Sequence, residues 1–148
     1  MNRSDRMKPI KRYADTREQD AGARLANARA LVEERERQLG ELRRYREEYA
    51  AQQSQGVGTV DVVRLQNYHA FLGRLGDAIR QQQALLDEAR VEVDRCATQW
   101  RESRAEAAAM GKVVDTLRSH EQRERDRREQ QDHDERALRT PGRSIVRE

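Results

Sequence analysis

From Leu65, steps of three and four residues taken alternately read Leu65, Tyr68, Leu72, Leu75, Ile79, Gln82, Leu86, Ala89, Val93, Cys96, Trp100, Ser103, Ala107, Met110, Val114 and Leu117. Only Gln82 and Ser103 interrupt the apolar run. Strand alternation has a period of two and cannot produce this pattern, and a disordered segment would not hold phase over such a distance. A sustained 3.5-residue repeat predicts a helix with a coiled-coil seam. A second, weaker seam lies upstream: Ala21, Leu25, Ala28, Val32, Arg35, Leu39, Leu42, Arg46 and Tyr49.

Between the seams stands Gln52-Gln53-Ser54-Gln55-Gly56-Val57-Gly58-Thr59, a polar run with two glycines that reads as a turn. Thr59 or Asp61 offers an acceptor to cap the next helix. Pro9 is placed near the start of the first helix, where a missing N–H costs least. Thr140-Pro141-Gly142 ends the second. The expected fold is all-α: one long antiparallel two-helix coiled-coil hairpin over 1–139. Its helices run at about 10–52 and 60–139, with the turn at 53–59 and a flexible tail at 140–148.

Folding at Val57 brings Tyr49 to Leu65, Leu42 to Leu72, Leu39 to Leu75, Ala28 to Leu86 and Leu25 to Ala89. Each seam position then meets a seam position of the other helix, as antiparallel pairing requires. A dimer of hairpins is the alternative, because a two-helix core is thin. In this register the first helix runs out opposite residue 104. The second overhangs it, leaving Ala107, Met110, Val114 and Leu117 uncovered.

One flank of the seam is also apolar. Leu31, Gln38 and Tyr45 of the first helix line up with Leu85, Ala78 and Phe71 of the second. The opposite flank, with Arg29, Glu36, Arg43, His69, Gly76, Gln83 and Arg90, is polar. Flanks of a solvated coil are usually charged, so the apolar strip points to a partner, a broadened core or a self-contact. Gly40, Gly73 and Gly76 at the same height allow a bend or a close approach, with tolerated variation as an equal alternative.

Composition agrees with thin helical packing. Hydrophobic residues make up 35% and aromatics 4%, too little for a thick globular core, while charged residues reach 39%. No apolar run approaches the length of a membrane span, and the basic N-terminus is not followed by the apolar stretch of a secretory signal. Of the net charge of +3, residues 1–17 alone carry +4: Arg3, Arg6, Lys8, Lys11, Arg12 and Arg17 against Asp5 and Asp15. The body is therefore near neutral, which argues against a nucleic-acid-binding coil.

Catalytic chemistry is not indicated. His69, His120 and His133 form no ligand-spaced pair with another His or Cys. Cys96 lies on the seam as a small core residue. Gly56-Val57-Gly58 lacks the pattern of a phosphate-binding loop. The expectation is a non-enzyme without cofactor or metal.

The stretch Leu42-Arg43-Arg44-Tyr45-Arg46-Glu47-Glu48-Tyr49 is followed by the Gln/Gly turn and by Asn67-Tyr68-His69-Ala70-Phe71-Leu72-Gly73-Arg74-Leu75. Ala78-Ile79, Gln81-Gln82, Trp100 and a charged C-terminal helix come next. This order resembles the FliJ family of flagellar type III export proteins over nearly the whole chain.

The resemblance implies a cytoplasmic antiparallel coiled coil, similar to the central stalk of rotary ATPases and held peripherally at the inner-membrane export apparatus. It implies association with the export ATPase and its regulator, with the cytoplasmic domain of the export gate protein, and with export chaperones. Neither nucleic acid nor direct membrane insertion is expected. The gate-contacting positions that match are Leu42, Tyr45, Tyr49, Phe71, Leu75 and Ala78. The uncovered Met110, Val114 and Leu117 are the expected ATPase contact. A purely structural self-associating coil, or the stalk of an injection-type secretion system, are the alternatives.

Overall fold

A computed structural model describes residues 1–55 and 61–139. Helix α1 spans Arg3–Gln55 and helix α2 spans Val62–Arg139. The fold is all-α, two long helices packed against each other, with no strand among the described residues. Val57, Thr59 and both turn glycines lie outside the described residues, as does the tail expected at 140–148.

Helix α1 starts at Arg3, seven residues ahead of the expected boundary, and carries Pro9 in its interior. Pro9 cannot donate to the carbonyl of Asp5. The residue is on the exposed side of the helix, where that carbonyl can turn to solvent. Asp61 caps α2: its Oδ1 accepts the Val63 N–H at 3.3 Å and its carbonyl accepts the Leu65 N–H at 3.0 Å.

The helix pair divides into two units. The central one is Gln19–Arg101, and the terminal one joins Met1–Glu18 to the chain from Glu102 onward. In the central unit Leu39, Leu75, Ile79 and Leu86 form one buried cluster, with Val32, Leu42 and Phe71 packed on it. Leu25, Ala28 and Cys96 form a second, flanked by Val93, Ala97 and Trp100. All of these except Phe71 and Ala97 are seam positions, so the phase of both repeats stands as read.

The register does not. Leu25 and Ala28 pack with Cys96, whereas folding at Val57 sets them against Ala89 and Leu86. Gly22 lies under Trp100, with space for a Cβ only 3.4 Å from the indole Nε1. Arg90 reaches Glu36 at 3.4 Å, and Arg43 donates to Gln83 at 3.1 Å. Each pairing lies further along α2 than folding at Val57 would set it, by seven residues for Leu25 with Cys96 and by eight for Gly22 with Trp100.

The terminal unit shows the same register by its own contacts. Arg17 meets Glu106 at 3.4 Å. Ser4 is buried against Glu121, its N–H donating to Oε1 at 3.0 Å and its hydroxyl to Oε2 at 2.6 Å. Val114 is 2% exposed and Ala107 is buried, while Met110 and Leu117 are half-buried. The stripe expected to be bare is therefore core. An earlier helix start and a heptad-longer register give α1 the residues to cover it. The overhang remains but begins later: from Arg125 to Arg139 every residue of α2 is exposed.

Candidate functional site: an aromatic cluster beside the seam

Four aromatic side chains meet in the central unit. Tyr49 and Phe71 stand 4.5 Å apart between ring centroids, tilted by 56°. Tyr49 stacks on Tyr68 at 5.4 Å with 26° between planes. Tyr45 presents its ring edge-on to Phe71 at 5.9 Å and 80°. His69 extends the series, 5.6 Å from Tyr68. The offset and edge-on arrangements suit rings whose faces are negative and edges positive, and each pair contributes about 0.5–1.5 kcal/mol beyond area burial.

The helices place these rings by simple spacing. Tyr45 and Tyr49 are four residues apart on α1 and share a face; Tyr68 and Phe71 are three apart on α2 and share another. Leu75, one turn beyond Phe71, is buried and anchors the cluster to the leucine-rich core. Tyr49, Phe71, Leu42 and Ala78 are half-buried. Tyr45 stays 51% exposed and Leu31 is exposed along the same flank. The result is a rigid apolar surface, its inner edge fixed by the core and its outer edge open to a partner.

Of the six gate-contacting positions carried over from the resemblance, Tyr45, Tyr49 and Phe71 come together as rings, with Leu42 and Leu75 beneath in the core cluster. Leu75 is inaccessible and acts as support. Tyr68 was read only as a seam residue, and His69 only as a polar-flank residue. Tyr68 joins the rings by stacking on Tyr49 across the seam, and His69 by its place beside Tyr68. The close-approach reading of the glycines fails at Gly40 and Gly73, where a Cβ would meet nothing within 4 Å.

The second group of candidates, Met110, Val114 and Leu117, does not form a free surface. Val114 is 2% exposed, and Met110 and Leu117 are half-buried against the same seam.

Burial, followed by the hydrogen bond to Glu92 at 3.5 Å, pushes the Cys96 thiol up and away from thiolate chemistry. Arg95 holds Glu92 below the usual carboxylate range, donating from Nε at 2.9 Å. Among the described residues no three His, Cys, Asp or Glu side chains stand close enough to hold a metal ion. No described helix is long and apolar enough to cross a membrane.

Comparison with known proteins adds one finding: the family model for the flagellar FliJ protein matches residues 3–145. No curated protein matches the chain. The matched segment takes in both seams, the aromatic cluster and the charged end of α2, and on that span the chain belongs to the FliJ family of flagellar export proteins.

Proposed function

We propose that this protein is a non-enzymatic coiled-coil stalk of the flagellar type III export apparatus that docks on the cytoplasmic domain of the export gate through its aromatic cluster. The observation that carries the proposal is the Tyr45–Phe71–Tyr49–Tyr68 ring series, core-anchored on one side and open at Tyr45. Aromatic side chains fixed on a rigid scaffold present large contact area with little rotamer entropy to lose on binding. The same reading has the protein associate with the export ATPase, its regulator and export chaperones. The buried Val114 stripe is assigned to none of these.

The test is Tyr45→Ala combined with Phe71→Ala. We expect the double variant to keep its helical circular dichroism and to lose about 2–4 kcal/mol of affinity for the gate domain, the range of interface hot spots. Leu39→Asp serves as the folding control, because it puts a charge into the core cluster. If the double variant melts as completely as Leu39→Asp, the rings are core and the docking assignment fails.

A further inference from the structure

We infer that the terminal unit carries a second interaction surface, on the same side of the seam as Arg17 and Glu106, and that it adsorbs to the headgroup zone of an anionic phospholipid bilayer. This inference goes beyond the docking proposal and does not depend on it.

Arg3, Arg6, Ile10, Tyr13 and Arg17 recur at steps of three and four along α1 and are all exposed. They form one strip, with Ile10 48% and Tyr13 67% open to solvent. No acidic residue falls on these five positions. The Arg17 guanidinium lies 5.9 Å from the Tyr13 ring centroid and pairs across the seam with Glu106. Stepping one heptad from that pair brings Ile10 to the level of Val113, which is 40% exposed. A second heptad brings Arg3 to His120, and these two line a recess shared with Glu121, Glu124, Arg125 and Arg128. On α2 the outward positions between are Ala109 and Thr116, both exposed and uncharged.

The strip is thus apolar at its centre and cationic along its length: Arg3, Arg6 and Arg17 face Glu106, already paired with Arg17, while of the carboxylates in the recess Glu121 accepts from Ser4 and Glu124 stands beside His120. Arginine and tyrosine are the side chains that lay an apolar body against acyl chains while the polar end stays among phosphates. Ile10 and Val113 give such a surface an apolar area to submerge. A nucleic acid would meet the arginines through phosphates but would offer nothing to Ile10 and Val113. Since no described helix is long and apolar enough to span, the contact is one of lying on the membrane.

The experiment is co-sedimentation of the full chain with phosphatidylcholine vesicles, with and without roughly one third phosphatidylglycerol, at near-physiological salt. Binding is expected only with phosphatidylglycerol. Arg3→Glu with Arg6→Glu should weaken it by roughly tenfold or more. Ile10→Ser with Tyr13→Ser, which leaves every charge in place, should weaken it by roughly tenfold. All four positions are exposed, and unchanged helicity verifies that each variant is folded. Should a charge-reversed variant lose helicity, Arg3→Gln with Arg6→Gln replaces it. No binding, or equal binding to neutral vesicles, overturns the inference. So does a loss that follows charge alone while the Ile10/Tyr13 variant binds like the parent; that result would mark a site for polyanions such as nucleic acid or an acidic protein.

Discussion

Gln82 and Glu121 show how single polar side chains act on a seam that is otherwise apolar. Gln82 occupies a core position, and its Oε1 is buried without a hydrogen-bond partner among the described residues. Leaving such an acceptor unsatisfied costs about 1–3 kcal/mol, so Gln82→Leu should stabilise the protein by an amount in that range, read from urea unfolding. An unchanged or lower midpoint would show that the amide is satisfied in solution. Glu121 has the opposite character. The Ser4 hydroxyl, then the Ser4 N–H, hold its carboxyl below the usual range, against the neighbouring charge of Asp5 and with help from Arg125. A carboxylate with a depressed pKa stabilises above its unfolded value and loses that contribution as pH falls through the folded one. Amide exchange at the start of α1 should therefore accelerate on the acid side of the normal glutamate range. Glu121→Gln should remove that acid dependence. Persistence of the acid step in the variant would assign it to another group, Asp5 being the first to examine.

At the scale of the helices, the phase of the packing was legible and its register was not. Leu25, Leu39, Leu75, Ile79 and Leu86 fall where the 3.5-residue repeat puts them, because burying a stripe is what keeps such a sequence helical in water. Sliding one helix by seven residues, however, again sets every seam position against a seam position. The hydrophobic pattern is blind to whole-heptad offsets, and the turn at 53–59 was the only remaining guide. The start of α1 was missed for a related reason. Pro9 looks like a first helical residue, yet the Ser4–Glu121 contact holds a further turn and a half ahead of it. The rings at Tyr45 and Phe71 are legible as a flank and meet as that spacing pairs them, whereas Tyr68 reads as a seam residue whose contact with Tyr49 the repeat does not single out. A single substitution separates the two registers. Leu25→Cys should form an intrachain disulfide with the native Cys96, which shares its cluster. In a Cys96→Ser background, Leu25→Cys with Ala89→Cys should not crosslink. Efficient closure of the second pair and not the first would restore the fold at Val57.

At the scale of the molecule, the two units differ in what they bury, and this sets the order in which the helix pair opens. The central unit encloses Leu25, Leu39, Leu75, Ile79 and Leu86. Among the described residues of the terminal unit the buried positions are Ser4, Ala14, Ser103, Ala107 and Val114, of which only Val114 is a large apolar side chain. Full burial of such a side chain contributes about 1.5–3 kcal/mol, so five against one is a difference several times larger than the worth of an exposed ion pair such as Arg17–Glu106. Half-buried Met110 and Leu117 narrow the gap without closing it. Local opening should then begin in the terminal unit while the central unit remains closed. Hydrogen–deuterium exchange followed by mass spectrometry should show early labelling in peptides covering 1–18 and 102–121, and late labelling in those covering 25–39 and 75–96. Residues 125–139, exposed throughout, should label first of all. The arrangement suits the functions proposed for each region. The aromatic docking cluster rests on the stiffer packing, where fixed rings matter, while the cationic strip lies on helices that a flat, deformable surface does not require to be rigid. Uniform protection across both units would contradict this ordering. So would slower exchange in 102–121 than in 75–96, since the small side chains of the terminal seam would then be packing as tightly as the leucines.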